Sequence, residues 1–84
     1  MEEIRVGKVT HFFGRIGVAV FALTEMIRVG DTIRIRGQTT DLTQRVESMQ
    51  IEHKAVPEAR PGEDVAIKVN DRVREDDGVY KVIP

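Results

Sequence analysis

The stretch Ile27-Arg28-Val29-Gly30-Asp31-Thr32-Ile33-Arg34-Ile35-Arg36 decides the fold. Gly30 permits the positive φ of a tight turn, and the Asp31 carboxylate can accept hydrogen bonds from nearby backbone amides. Strict alternation then resumes at once. Ile33 and Ile35 point to one face and Thr32, Arg34 and Arg36 to the other, which is the signature of a half-buried strand.

The same period of two recurs on both sides of this stretch. Upstream, a first run covers about residues 5–12, with Ile4 and Val6 on one face and a phase change at Val9 after Gly7, which predicts a bulge. Gly14-Arg15-Ile16-Gly17 supplies turn chemistry, and a second run sets Ile16, Val18, Val20 and Ala22 inward. Residues 21–29 are too short to read as a helix. Downstream, residues 44–53 form a fourth run with Val46 on one phase and Met49 and Ile51 on the other, again asking for a bulge. Val65, Ile67 and Val69 define a fifth run, and residues 79–82 a sixth after Asp77-Gly78. Six short strands bounded by turn signals predict an all-β chain, a small closed six-stranded antiparallel barrel. Closure also removes the exposed edges that such strands would otherwise present.

Composition bounds the remainder. Eighty-four residues, 40% hydrophobic and 32% charged, fill one core, so residues 1–84 are read as one β-barrel domain. The absence of cysteine excludes disulfides, thiolate catalysis and cysteine metal ligation. The acidic, alternating start Met1-Glu2-Glu3-Ile4-Arg5 is unlike a secretion signal, and no apolar run has the length of a membrane span; a cytoplasmic location without membrane contact is expected. Net charge is −1, but residues 4–45 carry seven basic side chains against three acidic ones. The acidic residues concentrate later, at Glu63-Asp64 and Glu75-Asp76-Asp77.

With the order of these pieces in hand, a family resemblance emerges. Gly7-Lys8-Val9, Gly17-Val18 with Val20, and the Ile27–Ile35 stretch resemble the progression found in the second domain of elongation factor Tu and related translation GTPases. Val46-Glu47-Ser48-Met49, the Ala59–Ile67 segment and Asp77-Gly78-Val79 follow the same order, so the resemblance covers about residues 5–82. It implies a translation-protein barrel that, in that family, supports a nucleotide-binding domain and touches ribosomal RNA or transfer RNA. The chain departs from the family in lacking a phosphate-cradling Gly-x-x-x-x-Gly-Lys-Ser/Thr, since Gly7-Lys8 is followed by Val9. No GTP hydrolysis, and no nucleotide bound by this chain alone, is expected.

No catalytic constellation is evident. Ser48, His11 and His53 lack the orienting and oxyanion groups of a triad, the histidine spacing matches no zinc pattern, and adjacent carboxylates diverge on a strand. The chain is therefore expected to be a non-enzyme without cofactor or metal. The candidate binding surface joins Arg34 and Arg36, about 7 Å apart by strand rise, to the polar residues Thr39, Thr40, Asp41, Thr43 and Gln44 and to Arg45. Gln50 and His53 extend it if the fourth strand neighbours the third. Adjacent Phe12 and Phe13 cannot both point inward, so one of them is expected beside His11 and Arg15 on the surface. Two readings follow. One is a translation-factor-like module whose partner is RNA or the ribosome; the other is an adaptor with a protein partner and no nucleic-acid role.

Overall fold

The computed structural model describes Glu2–Pro84. Ten strands build the fold: β1 (Glu2–Phe13), β2 (Val18–Leu23), β3 (Ile27–Arg28), β4 (Thr32–Arg36), β5 (Asp41–Arg45), β6 (Met49–Ile51), β7 (Lys54–Ala55), β8 (Glu58–Ala59), β9 (Asp64–Lys68) and β10 (Gly78–Ile83). Eight of them form an antiparallel sheet in the order β5-β4-β10-β1-β2-β9-β6-β7, and β3 pairs with β8 separately.

The central strand is β1, whose first half pairs with β10 and whose second half pairs with β2. Two register shifts, between Arg5 and Gly7 and between Val9 and His11, let one strand serve both neighbours. The bulge expected near Gly7 is therefore present. Gly7 is required there because any Cβ would fall on the Ala22 carbonyl.

Ile33 and Ile35 are fully buried, as are Val65 and Ile67, and these join Val6, Val9, Phe21, Val46, Met49 and Val79 in one core. The turn before β4 is as expected: Gly30 has φ 99°, and the Asp31 carboxylate accepts the Arg28 amide hydrogen at 2.9 Å. The phase expected for β2 is reversed. Ala19, Phe21 and Leu23 face the core, Val18 and Val20 are half-buried, and Ile16 is 65% exposed. The register that buries the phenyl ring of Phe21 removes more apolar area from water than the one that buries valines, so Phe21 sets the phase.

The fourth run is not one bulged strand. It splits into the end of β5 and β6, because Val46 turns back to pair with the Gly30–Asp31 turn. The Val46 amide donates to the Asp31 carbonyl and the Gly30 amide to the Val46 carbonyl, both at 2.8 Å.

The backbone ladder does not close into the expected six-stranded barrel. It ends at β5 on one side and at β7 on the other. Gln44, 7% exposed on β5, reaches across to the end of β9, where its Nε2 donates to the Lys68 carbonyl at 2.9 Å and its Oε1 accepts the Asn70 amide at 2.8 Å. One side-chain amide thus links β5 to the residues that end β9. β5 and β9 are not paired in the ladder, and β6 is the second partner of β9.

Candidate functional site: the loop end of the fold

Antiparallel pairing brings three connections to one end. Gly78, which opens β10, lies opposite both Lys8 of β1 and Arg36 of β4, and Lys68 at the end of β9 lies opposite Val18. The β1–β2 hairpin tip, the β4–β5 turn and the long β9–β10 connection therefore cluster.

The β9–β10 connection is tightly fixed. Val73 is buried within the core, while Arg72 and Arg74 on either side of it are exposed. The Asp71 carboxylate accepts the Arg72 amide at 2.7 Å, and the Asp77 carboxylate accepts the Arg74 amide at 2.8 Å. Asp76 and Asp77 bracket β1 at Val9, through bonds of 2.7 and 2.9 Å. Asp77 is itself buried and lies against Gly37, leaving no room there for a larger residue. The two arginines are thus displayed from a rigid frame.

Grooves run along both flanks of this frame. One lies against the hairpin tip, lined by Phe12, Gly14, Arg15, Gly17 and residues 69–72; another is lined by Thr39, Thr40, Asp41, Leu42, Asp71, Arg72 and Arg74. Phe12 also meets Arg72, Val73 and Arg74 in a third. At the tip, Phe13 is 51% exposed with His11 stacked beside it at 6.2 Å. Phe13 is therefore the surface aromatic and Phe12 the half-buried one. Among the described residues, Arg15, Arg72 and Arg74 make no ion pair, as is true of Arg5, Arg28, Arg45, Lys54 and Lys68, whereas Lys8, Arg34, Arg36, Arg60 and Lys81 do.

The residues predicted to bind fall into three places. Arg34 and Arg36 lie on the outer face of β4, but their charge is already matched. Arg34 makes a bidentate bond to Asp41, both distances 2.8 Å, and a third bond of 2.8 Å to Glu3. Arg36 stacks on Tyr80 at 4.6 Å and faces Glu3 at 3.5 Å. The hydrogen bonds from Arg34 hold the Asp41 carboxyl below its ordinary range, and Asp41 and Glu3 hold Arg34 more firmly protonated.

Thr39, Thr40 and Asp41 line the loop-end groove, with Thr40 buried, while Thr43 is exposed on β5. Gln44 bonds the end of β9, and it lines a small groove with Arg45, Glu47, Ser48, Lys68 and Asn70. Gln50 and His53 are not beside β4, because β6 pairs with β9 and β7. Running antiparallel to β9, β6 carries its turn, Glu52-His53, to the end opposite the three loops. Ser48, His11 and His53 lie on separate elements, and among the described residues no three His, Asp or Glu side chains cluster as metal ligands do.

Arg72 and Arg74 were missed by the sequence reading. Their signal was the exposed–buried–exposed pattern around Val73 between two aspartates able to cap, in a segment with no strand alternation long enough to attract notice.

Comparison with known proteins bears on what this end serves. A Methanocaldococcus jannaschii protein named as an uncharacterized protease is 44% identical over 79 residues, covering 93% of this chain. This chain is similar to part of a protein named as a protease. A collagenase of Porphyromonas gingivalis is 37% identical over 82 residues, 95% of this chain. The chain spans about a fifth of the length of these curated relatives, 19% and 20%. Among solved structures, the C-terminal domain of a Geobacillus thermoleovorans putative U32 peptidase superposes with TM-score 0.88 at 23% identity, over 94% of this chain and 92% of that one. GDP-bound aIF5B of Aeropyrum pernix superposes with TM-score 0.65 at 23% identity, over 96% of this chain and 15% of that one. No protein-family profile matches the chain.

These findings correct two expectations. The translation-factor-like binding module, with its adaptor alternative, gives way to a peptidase context, because the similar sequences are named protease and collagenase. The expectation of a non-enzyme falls for the same reason, the similar proteins being named protease, collagenase and putative peptidase. The likeness to translation GTPases is one of fold. Among the described residues no helix is long and apolar enough to cross a membrane.

Proposed function

We propose that this chain is a β domain serving a peptidase, and that it takes part in polypeptide hydrolysis by engaging the polypeptide that is cut. The observation that carries the reading is the 44% identity to a protease-named protein across 93% of the chain. The fold shared with the C-terminal domain of a putative U32 peptidase supports it, as does the collagenase match over nearly the whole chain. We read the Gln44 seam as closing a six-stranded barrel, β10-β1-β2-β9-β5-β4, whose rigid wall carries the loop end.

The geometry suits engagement of an unfolded chain. Open grooves beside fixed loops accept an extended segment without a large rearrangement. Exposed Phe13 and Ile16 add an apolar shelf next to Arg15.

The test is titration of the purified protein against denatured collagen and casein, followed by incubation with labelled casein to detect released peptides. Saturable binding of either polypeptide, with or without cleavage, supports the proposal. The absence of both binding and cleavage overturns it.

A further inference from the structure

The strongest unassigned feature is the pair of unpaired guanidiniums flanking Val73. Both belong to a frame fixed by two aspartate caps and by the bonds of Asp76 and Asp77 to Val9, so little order has to be gained when a ligand arrives. Residues 72–74 alternate exposed, buried, exposed, so Arg72 and Arg74 share the solvent side of Val73. Both line the groove of Thr39–Leu42 and the one beside Phe12, so they open onto the same two surfaces. Each guanidinium can take a carboxylate of an extended polypeptide through two parallel hydrogen bonds.

We infer that Arg72 and Arg74 form a docking site for acidic segments of extended polypeptide, with carboxylates on the two arginines and the chain lying along the grooves beside Phe12 and Thr39. The inference rests on the polypeptide-engaging role proposed above and names the substrate class. Charge favours a patterned peptide over a continuous polyphosphate. Asp71, Glu75 and Asp76 stand exposed within the same connection, and a nucleic-acid backbone with a charge at every unit would be set against them. A peptide can place neutral or basic side chains opposite those carboxylates.

The site is distinct from the arginines of β4. Arg34 is spent on Asp41 and Glu3, and a ligand would have to displace charge-assisted bonds of 2.8 Å to use it. Arg72 and Arg74 are free of such partners, and nothing must be broken to engage them.

The experiment uses fluorescence anisotropy with three probes: a peptide alternating glutamate with threonine, its glutamine counterpart, and poly-uridine RNA. Each is titrated into the native protein and into the R72Q/R74Q double variant. Circular dichroism melting should find the variant as stable as the native protein, because both side chains are exposed and only their backbone amides are bonded. The expected result is that the acidic peptide binds the native protein and loses about tenfold or more in the variant, with a similar loss for the glutamine peptide. K54Q, an exposed cation on β7 in the hairpin at the opposite end, serves as the control and should leave affinity unchanged.

Unchanged binding in R72Q/R74Q overturns the inference while leaving polypeptide engagement standing, as does equal affinity for the glutamine peptide. Poly-uridine that binds as tightly, with the same dependence on the two arginines, also overturns it, since the site is then a general anion patch. If denatured collagen and casein also fail to bind the native protein, the proposed role fails with it.

Discussion

Single residues on this chain do work that their type alone does not disclose. Gly7 sits where β1 passes from one neighbour to the other, and a methyl group there meets the Ala22 carbonyl. Gly7→Ala is expected to cost about 2–4 kcal/mol, because backbone rather than a flexible side chain must give way; urea denaturation measures it. Asp41 carries a pH signature. Its carboxyl is held below the ordinary value by hydrogen bonds from Arg34, so its contribution to stability is complete above the ordinary carboxylate pKa and disappears as pH falls through the lowered one. The native protein should therefore melt above Asp41→Asn at pH 7, and the gap should close on acidification below about pH 4. Equal gaps at pH 7 and in acid would contradict this. Gly30 and Asp31 were legible in the sequence, because turn chemistry is local. The Arg34–Glu3 bond was not, because it joins residues on strands separated by β10, and only the sheet order makes them neighbours.

Elements reveal a different division. The alternations of β4 and β9 were read correctly, since each has a single dominant apolar phase. In β2 both phases are apolar, and alternation alone gave Val18 and Val20 where bulk gave Phe21 and Leu23. Periodicity cannot choose between two hydrophobic faces; the area buried can. The β6–β7 hairpin shows a second limit. Its two-residue loop holds Glu52 at φ 51° and His53 at φ 65°, a conformation that Asn-Gly fills more comfortably, so the sequence carried no turn signal. Replacing Glu52→Asn with His53→Gly should stabilise the protein by up to about 1 kcal/mol, by relieving two left-handed residues. A thermal melt with no gain would show that the turn is not strained. This turn lies at the far end from Arg72 and Arg74, so peptide affinity should be unaffected.

The whole molecule combines a well-determined core with an unusual join. Among the described residues the buried core includes side chains from eight of the ten strands, and it follows from the apolar pattern read along the chain. The candidate site followed only in part. Thr39, Thr40 and Asp41 reach the loop end, whereas Gln50 and His53 are carried away by the pairing of β6 with β9. The peptidase names of the similar proteins could not be read from the residues, because a β fold of this kind also occurs in GDP-bound aIF5B and the fold does not choose between them. The join is testable. Gln44→Leu keeps the bulk but strands the Lys68 carbonyl and the Asn70 amide, and a loss of about 1–3 kcal/mol is expected in chemical denaturation. Gln44→Glu keeps the acceptor for Asn70 but sets a carboxylate oxygen against the Lys68 carbonyl in a buried position, and should cost at least as much at pH 7. A glutamine side chain is, in effect, one peptide unit mounted on a short stem, and here it links β5 to the end of β9. Swinging that stem aside is a rotamer change rather than an unfolding event, so the seam can open and reclose on the timescale of side-chain motion while the remaining strands stay paired. The Asn70 amide should accordingly exchange its hydrogen with solvent far faster than the amides between β1 and β2, giving the wall a private rhythm of its own.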